Sequence, residues 1–410
     1  MTQSTSYSQA TPKNQIGLAG AIAIGLASML GAGLFVVFRD VAIAAGSLQF
    51  WSLVIAGAVA ILNSASIYQL AKSQSRAGGV YAYSRVYVSK SVSFIAGFSF
   101  VFGKIGSIAA IALVFEEYVA PDSGLIAPVL AILLLTLVNI FGINRTASVA
   151  AILAIVTTLF LLVSIFVSAS FSARVATEIP QLPAGNLLQG ASLMFFAFAG
   201  YARVATLGDE VRNPKKNIPK AIAISLGIVL GLYIALSAVI NQTLGVDLIE
   251  SKAPFVSLLS ITAPWFPTWL IVAVAALAAL GSMLALLAGV SRTISVMAED
   301  SELPKIFAIR NRWGTPWLAE VVIALGAILL LSVGSVSWVI GFSSFSVLLY
   351  YAIGHLSSVR QPADERIMPK WLNYLGATAC LVLVFSVPGP AIPVSLGFLA
   401  FAVAARKLTR

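Results

Sequence analysis

Long apolar runs separated by short polar segments make up nearly the whole chain. A helix that crosses a lipid bilayer needs about 20 consecutive apolar residues, and the runs are close to that length. The pattern predicts twelve spanning helices, at residues 16–38, 44–70, 92–118, 124–142, 146–170, 187–209, 218–240, 267–298, 317–335, 337–358, 371–388 and 390–405. The sequence therefore predicts an all-α integral membrane protein.

Composition supports a chain that lies mostly in lipid. Of its 410 residues, 59% are apolar and 10% are charged, whereas soluble domains are roughly half apolar and about a quarter charged. Residues 16–405 are predicted to form one transmembrane domain, preceded by a polar segment, 1–15, that is predicted to be disordered. The lone cysteine, Cys380, lies in an apolar run, which indicates a core residue and excludes an intrachain disulfide.

The charge distribution predicts how the chain is oriented. A net charge of +10 can indicate nucleic-acid binding, but here the charges lie in short clusters between apolar runs, so no nucleic-acid partner is expected. Most of the 25 lysines and arginines fall in the two tails and in the loops that connect an even-numbered span to the next odd-numbered span. Because such loops stay in the cytoplasm, both termini, including the tail 406–410, are predicted to be cytoplasmic in a multi-pass protein of the inner cell membrane.

Glycines interrupt two of the predicted helices. Gly31 and Gly33 lie within the first span, in the run MLGAGLF, and Gly200 lies within the sixth. Glycine weakens a helix by about 1 kcal/mol relative to alanine, and unwound backbone within a membrane is tolerated only where it faces protein or a cavity. Close helix packing through small residues is the alternative explanation.

The spacing of the two breaks predicts an internal repeat. Five spans separate them, as in an inverted repeat that relates spans 1 to 5 (about 16–170) to spans 6 to 10 (about 187–358). Spans 11 and 12 (about 371–405) are then two extra helices. A binding site is expected between the breaks.

Four further motifs follow in a characteristic order: AGGVYAYSRV at 77–86, DEVRNPKKNIPKAI at 209–222, SRTISVMAEDSELPK at 291–305 and GTPW at 314–317. With the two breaks, they make the chain resemble the amino acid–polyamine–organocation family of permeases. The resemblance implies a LeuT-type fold with a 5+5 inverted repeat. It also implies secondary active transport of amino acids or related amines by alternating access.

An amino acid carries a carboxylate and an ammonium, so its site needs clustered donors and acceptors. Free N–H groups at the first break would bind the carboxylate, and carbonyls that end the first half of span 6 would bind the ammonium. The predicted substrate-binding residues are Met29, Gly31, Ala32, Gly33, Phe195, Phe198, Ala199, Gly200 and Tyr201. Phe195, Phe198 and Tyr201 would also form a gate over the substrate, although aromatic residues at helical spacing can be plain packing.

Substrate charge is suggested by a departure from the family pattern. Many members carry a glutamate after the glycine segment of span 6, where this chain has Ala202 and Arg203. A cationic substrate would lose that counter-charge, so neutral amino acids are favoured, or acidic ones if Arg203 faces the cavity.

Four residues are candidates for ion coupling, with Na⁺ or H⁺ as the coupling ion and no other cofactor. Thr157 stands where some proton-coupled members carry a lysine, and with Ser282 it could bind Na⁺, or it could bond to its own helix. Lys104 and Arg203 are ionisable groups inside spans, which makes them functional candidates. Lys104 could titrate, act as a fixed cation or tether backbone carbonyls.

Three other ionisable residues are not expected to take part in transport, with a proton relay as the alternative role for His355. His355 is expected at the interfacial end of span 10, and Glu116 and Glu117 are expected to be solvated. Alternative functions are an amino acid or amine exchanger, a major facilitator-type carrier, a nutrient sensor or an intramembrane enzyme. The chain lacks the HExxH and GxSxG motifs of two enzyme classes. The partners expected are a small molecule and the lipid bilayer, and the oligomeric state is left open.

Overall fold

The computed structural model describes residues 16–31, 33–74, 78–142, 146–172, 183–201, 204 and 211–408, with only the backbone described at 146–150, 172 and 408. The predicted disordered segment, 1–15, lies outside these residues. So do Ala32, Ala202 and Arg203.

The described part of the chain is helical. Its fifteen α-helices are α1 (Leu18–Met29), α2 (Gly33–Ala45), α3 (Gln49–Ser73), α4 (Val80–Tyr87), α5 (Lys90–Val119), α6 (Ile126–Ile140), α7 (Thr146–Ser172), α8 (Leu187–Phe198), α9 (Pro214–Leu244), α10 (Pro254–Thr262), α11 (Thr268–Glu299), α12 (Trp317–Leu331), α13 (Val336–Arg360), α14 (Lys370–Val384) and α15 (Ala391–Leu408). Short 3₁₀ turns lie at Ala199–Tyr201, Gly245–Ile249 and Lys305–Ala308. The predicted all-α class is confirmed.

Every predicted span overlaps a helix or a pair of helices. Among the described residues, six helices are long and apolar enough to cross a membrane, and the bent pair α1 and α2 would make a seventh. Four further apolar helices, including α6 and α8, are shorter. The protein is thus a multi-pass membrane protein, while the count of twelve crossings stays a prediction.

Local sequence explains where several helices begin. Ser89, Asn186 and Ser335 precede α5, α8 and α13, and each side chain accepts a hydrogen bond from the backbone N–H three residues later. These are typical N-cap contacts, because the first N–H groups of a helix have no partner within it. Helices α9 and α10 instead start with a proline, which loses nothing there because that N–H would be unpaired.

Helices α5 and α13 form the centre of the bundle. In the most apolar parts of these helices, 78% and 83% of the residues are buried, against 33% in α7. Helix α5 packs against α11, α12 and α13, and α1 packs against α7 and α9. Lys104, in the middle of α5, is accordingly only 4% exposed and faces protein.

The first span ends later than the sequence suggests. Residues up to Ala45 are helical in α2, whereas the hydropathy pattern predicts an end at residue 38, just before the charged residues Arg39 and Asp40. Arg39 lies 3.6 Å from Glu117, and Asp40 bonds to the hydroxyl of Ser337. These partners from α5 and α13 let charged residues remain in a packed helix.

Two predicted exposures are wrong. The side chain of Glu117 is only 11% exposed, because it pairs with Arg39. His355 is fully buried, and its ring nitrogens lie 3.1 Å from the Asn373 amide oxygen and 2.9 Å from that of Asn63. A polar cluster between α3, α13 and α14 holds this histidine, so it does not lie at an interface.

Arginines from two distant segments meet one buried carboxylate. The Glu302 side chain is fully buried, and Arg85 of α4 and Arg406 of α15 each donate to it at 2.8 Å. Glu302 thereby joins the segment after α11 to α4 and to the last helix. Removing one member of a buried ion pair costs about 3–5 kcal/mol, because the remaining charge is left uncompensated.

We expect Glu302→Gln to lower the thermal unfolding temperature of the purified protein in detergent, by the equivalent of about 3 kcal/mol. Glu299→Gln is the matched control, since the Glu299–Arg310 pair is 3.4 Å long and both side chains are about half exposed. Exposed pairs contribute about 1 kcal/mol or less. Equal unfolding temperatures for the two variants would contradict a structural role for Glu302.

Candidate functional site

The first predicted break is present in the structure. Helix α1 ends at Met29, α2 begins at Gly33, and the two axes differ in direction by 42°. The break leaves carbonyls at the end of α1 and N–H groups at the start of α2 without partners within their helices. Acceptors and donors for a ligand therefore lie within a few residues of each other.

The second break is formed by a change of helix type. Helix α8 ends at Phe198, and a 3₁₀ turn over Ala199–Tyr201 follows, with Gly200 at its centre. A Cβ atom at Gly200 would overlap the carbonyl of Ser28 and lie 2.6 Å from the Met29 nitrogen. The backbones of the two breaks are thus in direct contact, and only glycine allows it.

A cavity opens beside this contact. Described residues that line it are Ser28, Met29, Gly31, Gly33, Phe100, Lys104, Ser107, Ile111, Phe196, Ala197, Gly200, Leu286, Gly289 and Val290. The lining is mostly apolar with a few polar groups, which is typical of small-molecule sites.

The structure brings only part of the predicted site to this cavity. Met29, Gly31, Gly33 and Gly200 line it, and Lys104 does so as well. Ala199 takes part through its carbonyl, which accepts from Lys104. Ala32 lies outside the described residues.

The predicted gate aromatics pack away from the cavity. Phe195 and Tyr201 both pack against Tyr351, with ring centroids 5.8 and 5.1 Å apart, and Phe198 packs against Tyr233 at 5.1 Å. Phe196 is instead the α8 aromatic that lines the cavity. A gate role for Phe195, Phe198 and Tyr201 stays a prediction, and Phe196 is one of the lining residues that the sequence did not predict.

Tyr233 of α9 connects the two breaks and was also missed. Its hydroxyl lies 2.7 Å from the Met29 carbonyl and 3.2 Å from the Ala197 carbonyl. One donor therefore serves the carbonyl ends of both α1 and α8. The sequence feature that indicates such a role is a tyrosine inside an otherwise apolar run, because a buried tyrosine hydroxyl usually has a hydrogen-bond partner.

Lys104 reaches the cavity from the centre of α5. Phe100, Lys104, Ser107 and Ile111 follow the helical repeat and all face the cavity. The ammonium of Lys104 donates to the Ala199 carbonyl at 3.1 Å, and the residue is 4% exposed. The lysine thus contacts the second break at its first residue, directly after the C-terminal end of α8.

Of the Na⁺ candidates, Ser282 lies at the first break. Its hydroxyl is 3.5 Å from the Ala27 carbonyl, and it lies against Gly31. Thr157 is buried in α7, and no hydrogen bond joins it to Ser282 in the described part of the chain. Arg203, the remaining coupling candidate, falls outside the residues that the structure describes.

Comparison with known proteins identifies relatives over nearly the whole chain. The family model for amino acid permeases matches residues 20–406. An uncharacterized transporter of Mycobacterium tuberculosis is 37% identical over 407 residues, which cover 97% of this chain and 92% of the relative. The vacuolar cationic amino acid transporter 2 of Arabidopsis thaliana is 27% identical, over 86% of this chain and 61% of the plant protein.

A solved structure has the same fold. A Na⁺-coupled sialic acid symporter in a substrate-bound, outward-open state aligns with a TM-score of 0.56. The alignment covers 90% of this chain and 89% of the symporter at 13% sequence identity. This likeness confirms the LeuT-type fold that the resemblance implied.

Proposed function

The chain belongs to the amino acid permease family, and from this premise we propose that it is a secondary active transporter that moves amino acids across the inner cell membrane by alternating access. The family and the relatives are transporters, in agreement with the expectation that the chain is not an enzyme. The observation that carries the proposal is the backbone contact between Gly200 and residues Ser28 and Met29 beside a cavity. Two broken helices in contact can bind one small ligand with both sets of free backbone groups.

In the proposed site, the two charged groups of an amino acid bind at opposite helix ends. The carboxylate binds at the N-terminal end of α2, where N–H groups and the positive helix-dipole end favour an anion. The ammonium binds near the carbonyls of Met29 and Ala197, since both residues line the cavity. Each carbonyl has two lone pairs, so a hydrogen bond from Tyr233 leaves room for this contact.

The proposed substrates are amino acids without a cationic side chain. The Arabidopsis relative is named a cationic amino acid transporter, but the cavity of this chain is lined by Lys104. Like charges in a site of low dielectric repel each other. A lysine or arginine substrate would bring its side-chain cation close to this ammonium.

The driving ion and the orientation are also part of the proposal. Na⁺ coupling is suggested by the oxygen of Ser282 next to the Ala27 carbonyl, because Na⁺ is bound by oxygen ligands, and the related fold belongs to a Na⁺-coupled symporter. H⁺ coupling and amino acid exchange are the alternatives. Both termini are proposed to be cytoplasmic, on the basis of the lysines and arginines in the loops.

We expect the purified protein in proteoliposomes to accumulate a labelled amino acid when an ion gradient is applied. Counterflow of labelled against unlabelled amino acid should persist without a gradient, because alternating access exchanges substrate in both directions. Uptake with Na⁺ replaced by K⁺, and with the pH gradient collapsed, separates the two coupling ions. Binding of amino acids in a thermal-shift assay without counterflow would instead indicate a nutrient sensor.

A further inference from the structure

Lys104 is a buried cation without a matching anion in the described part of the chain. Its residue is 4% exposed, and the described residues that line the cavity with it include no aspartate or glutamate. The ion pairs of the described residues lie elsewhere, at Arg39, Arg85, Arg310 and Arg406. The only hydrogen bond of its ammonium to a described residue goes to the Ala199 carbonyl.

One carbonyl does not fully compensate an ammonium. Lysine has three N–H donors and a full positive charge, and a buried charge is costly unless it is both hydrogen-bonded and paired. Because α5 is central and the side chain faces the cavity, the ammonium cannot reach solvent by bending toward a lipid headgroup. The space in front of it is the cavity in which we place the substrate.

We propose that the substrate is an acidic amino acid whose side-chain carboxylate pairs with Lys104. This inference rests on the proposed function and specifies its substrate class. The backbone groups at the two breaks hold the α-carboxylate and the ammonium, so Lys104 is free to bind a second carboxylate. Ser107 lies one turn further along α5 on the same face, and its hydroxyl is 2.8 Å from that of Ser343.

The cavity lining makes this pairing selective. Apart from Lys104, the described side chains near it are apolar or hydroxyl-bearing, among them Phe100, Phe196 and Ile111. In such surroundings, an amide in place of the carboxylate would leave the ammonium without a counter-charge. Glutamate should therefore be preferred over glutamine, although the two differ little in shape.

The test compares uptake of L-glutamate, L-aspartate, L-glutamine and L-arginine by the wild type, Lys104→Met and Lys90→Met in proteoliposomes. Lys90 lies at the exposed start of the same helix, so its variant makes the same substitution outside the cavity. We expect the wild type and Lys90→Met to prefer the acidic amino acids. Lys104→Met should lose at least about 30-fold in apparent affinity for them, as is typical when one partner of a buried charge pair is removed.

A binding measurement on the wild type gives a test that does not depend on the folding of any variant. L-glutamate should raise the thermal unfolding temperature of the wild type more than L-glutamine does, because only ligands of the folded state stabilise it. Lys104→Glu, which reverses the charge, should lose the response to glutamate and gain one to arginine. Equal responses of the wild type to glutamate and glutamine would overturn the inference.

Other outcomes separate the inference from the proposed function. In one such outcome, the protein transports neutral or cationic amino acids at rates that Lys104→Met leaves unchanged. This outcome would overturn the inference of an acidic substrate, while the proposed function as an amino acid transporter would stand. Uptake of glutamine that requires chloride would show that chloride pairs with Lys104, and this also overturns the inference. Counterflow of succinate without counterflow of any amino acid would overturn the amino acid transporter itself.

Discussion

Gly200→Ala should reduce amino acid uptake by about 100-fold while the protein still inserts into the membrane. The added Cβ would overlap the Ser28 carbonyl and approach the Met29 nitrogen to 2.6 Å. These are backbone atoms, so no side-chain rotation relieves the overlap, and the two breaks must move apart. When the groups that position a substrate are displaced by about 1 Å, the rate commonly falls by about 100-fold.

The measurement is the initial rate of uptake in proteoliposomes, normalised to reconstituted protein. Gly227→Ala and Gly231→Ala in α9 are matched controls, because a Cβ at either position meets no atom within 4 Å. Both controls should transport normally and gain up to about 1 kcal/mol of helix stability. Normal uptake by Gly200→Ala would show that the contact between the breaks is not required for transport.

Tyr233→Phe should lower uptake by about 10-fold or more with little change in overall folding. The substitution removes the hydroxyl that lies 2.7 Å from the Met29 carbonyl and 3.2 Å from the Ala197 carbonyl. An unpaired buried polar group costs about 1–3 kcal/mol, and here two carbonyls that end half-helices lose a shared donor. The relative position of α1 and α8, and with it the site, should become less defined.

Uptake rate and substrate affinity should be measured together for Tyr233→Phe. The control is Tyr374→Phe in α14, where the tyrosine is 57% exposed. A weaker apparent affinity in Tyr233→Phe, with the control unchanged, supports a positioning role. Uptake within about twofold of the wild type would show that water replaces the hydroxyl at both carbonyls.

The fold was largely predictable because its main determinant is local. Apolar runs as long as a bilayer is thick must form helices, since lipid cannot satisfy free backbone groups. The predicted spans accordingly overlap the observed helices, and the fold class is confirmed. The end of α2 was misplaced because Arg39 and Asp40 resemble a loop until their partners are known.

The site was predictable only in part. Glycine marks the breaks, since it is the residue that permits close backbone approach, and Gly200 indeed lies on Ser28 and Met29. Helical periodicity separates the faces of α8 but does not say which face meets the cavity. Phe196 therefore lines it, while Phe195 and Phe198 pack against tyrosines of other helices.

Hydrogen bonds and ion pairs between side chains of different helices were not predictable from the sequence. His355 is held by Asn63 and Asn373, which lie 292 and 18 residues away in the chain. Glu302 joins Arg85 to Arg406 in the same way. A single sequence records the polarity of each residue but not its partner, because a partner is set by how helices far apart in the chain pack.

By itself, the sequence determined an all-helical membrane protein with two glycine breaks, because hydrophobic length and glycine backbone freedom act within one segment. Only the tertiary structure decided that the breaks touch, that Tyr233 joins their carbonyl ends, and that Lys104 faces the same cavity. These features depend on the rotation of each helix about its axis. That rotation is fixed by packing against neighbours, which the order of residues in one helix does not specify.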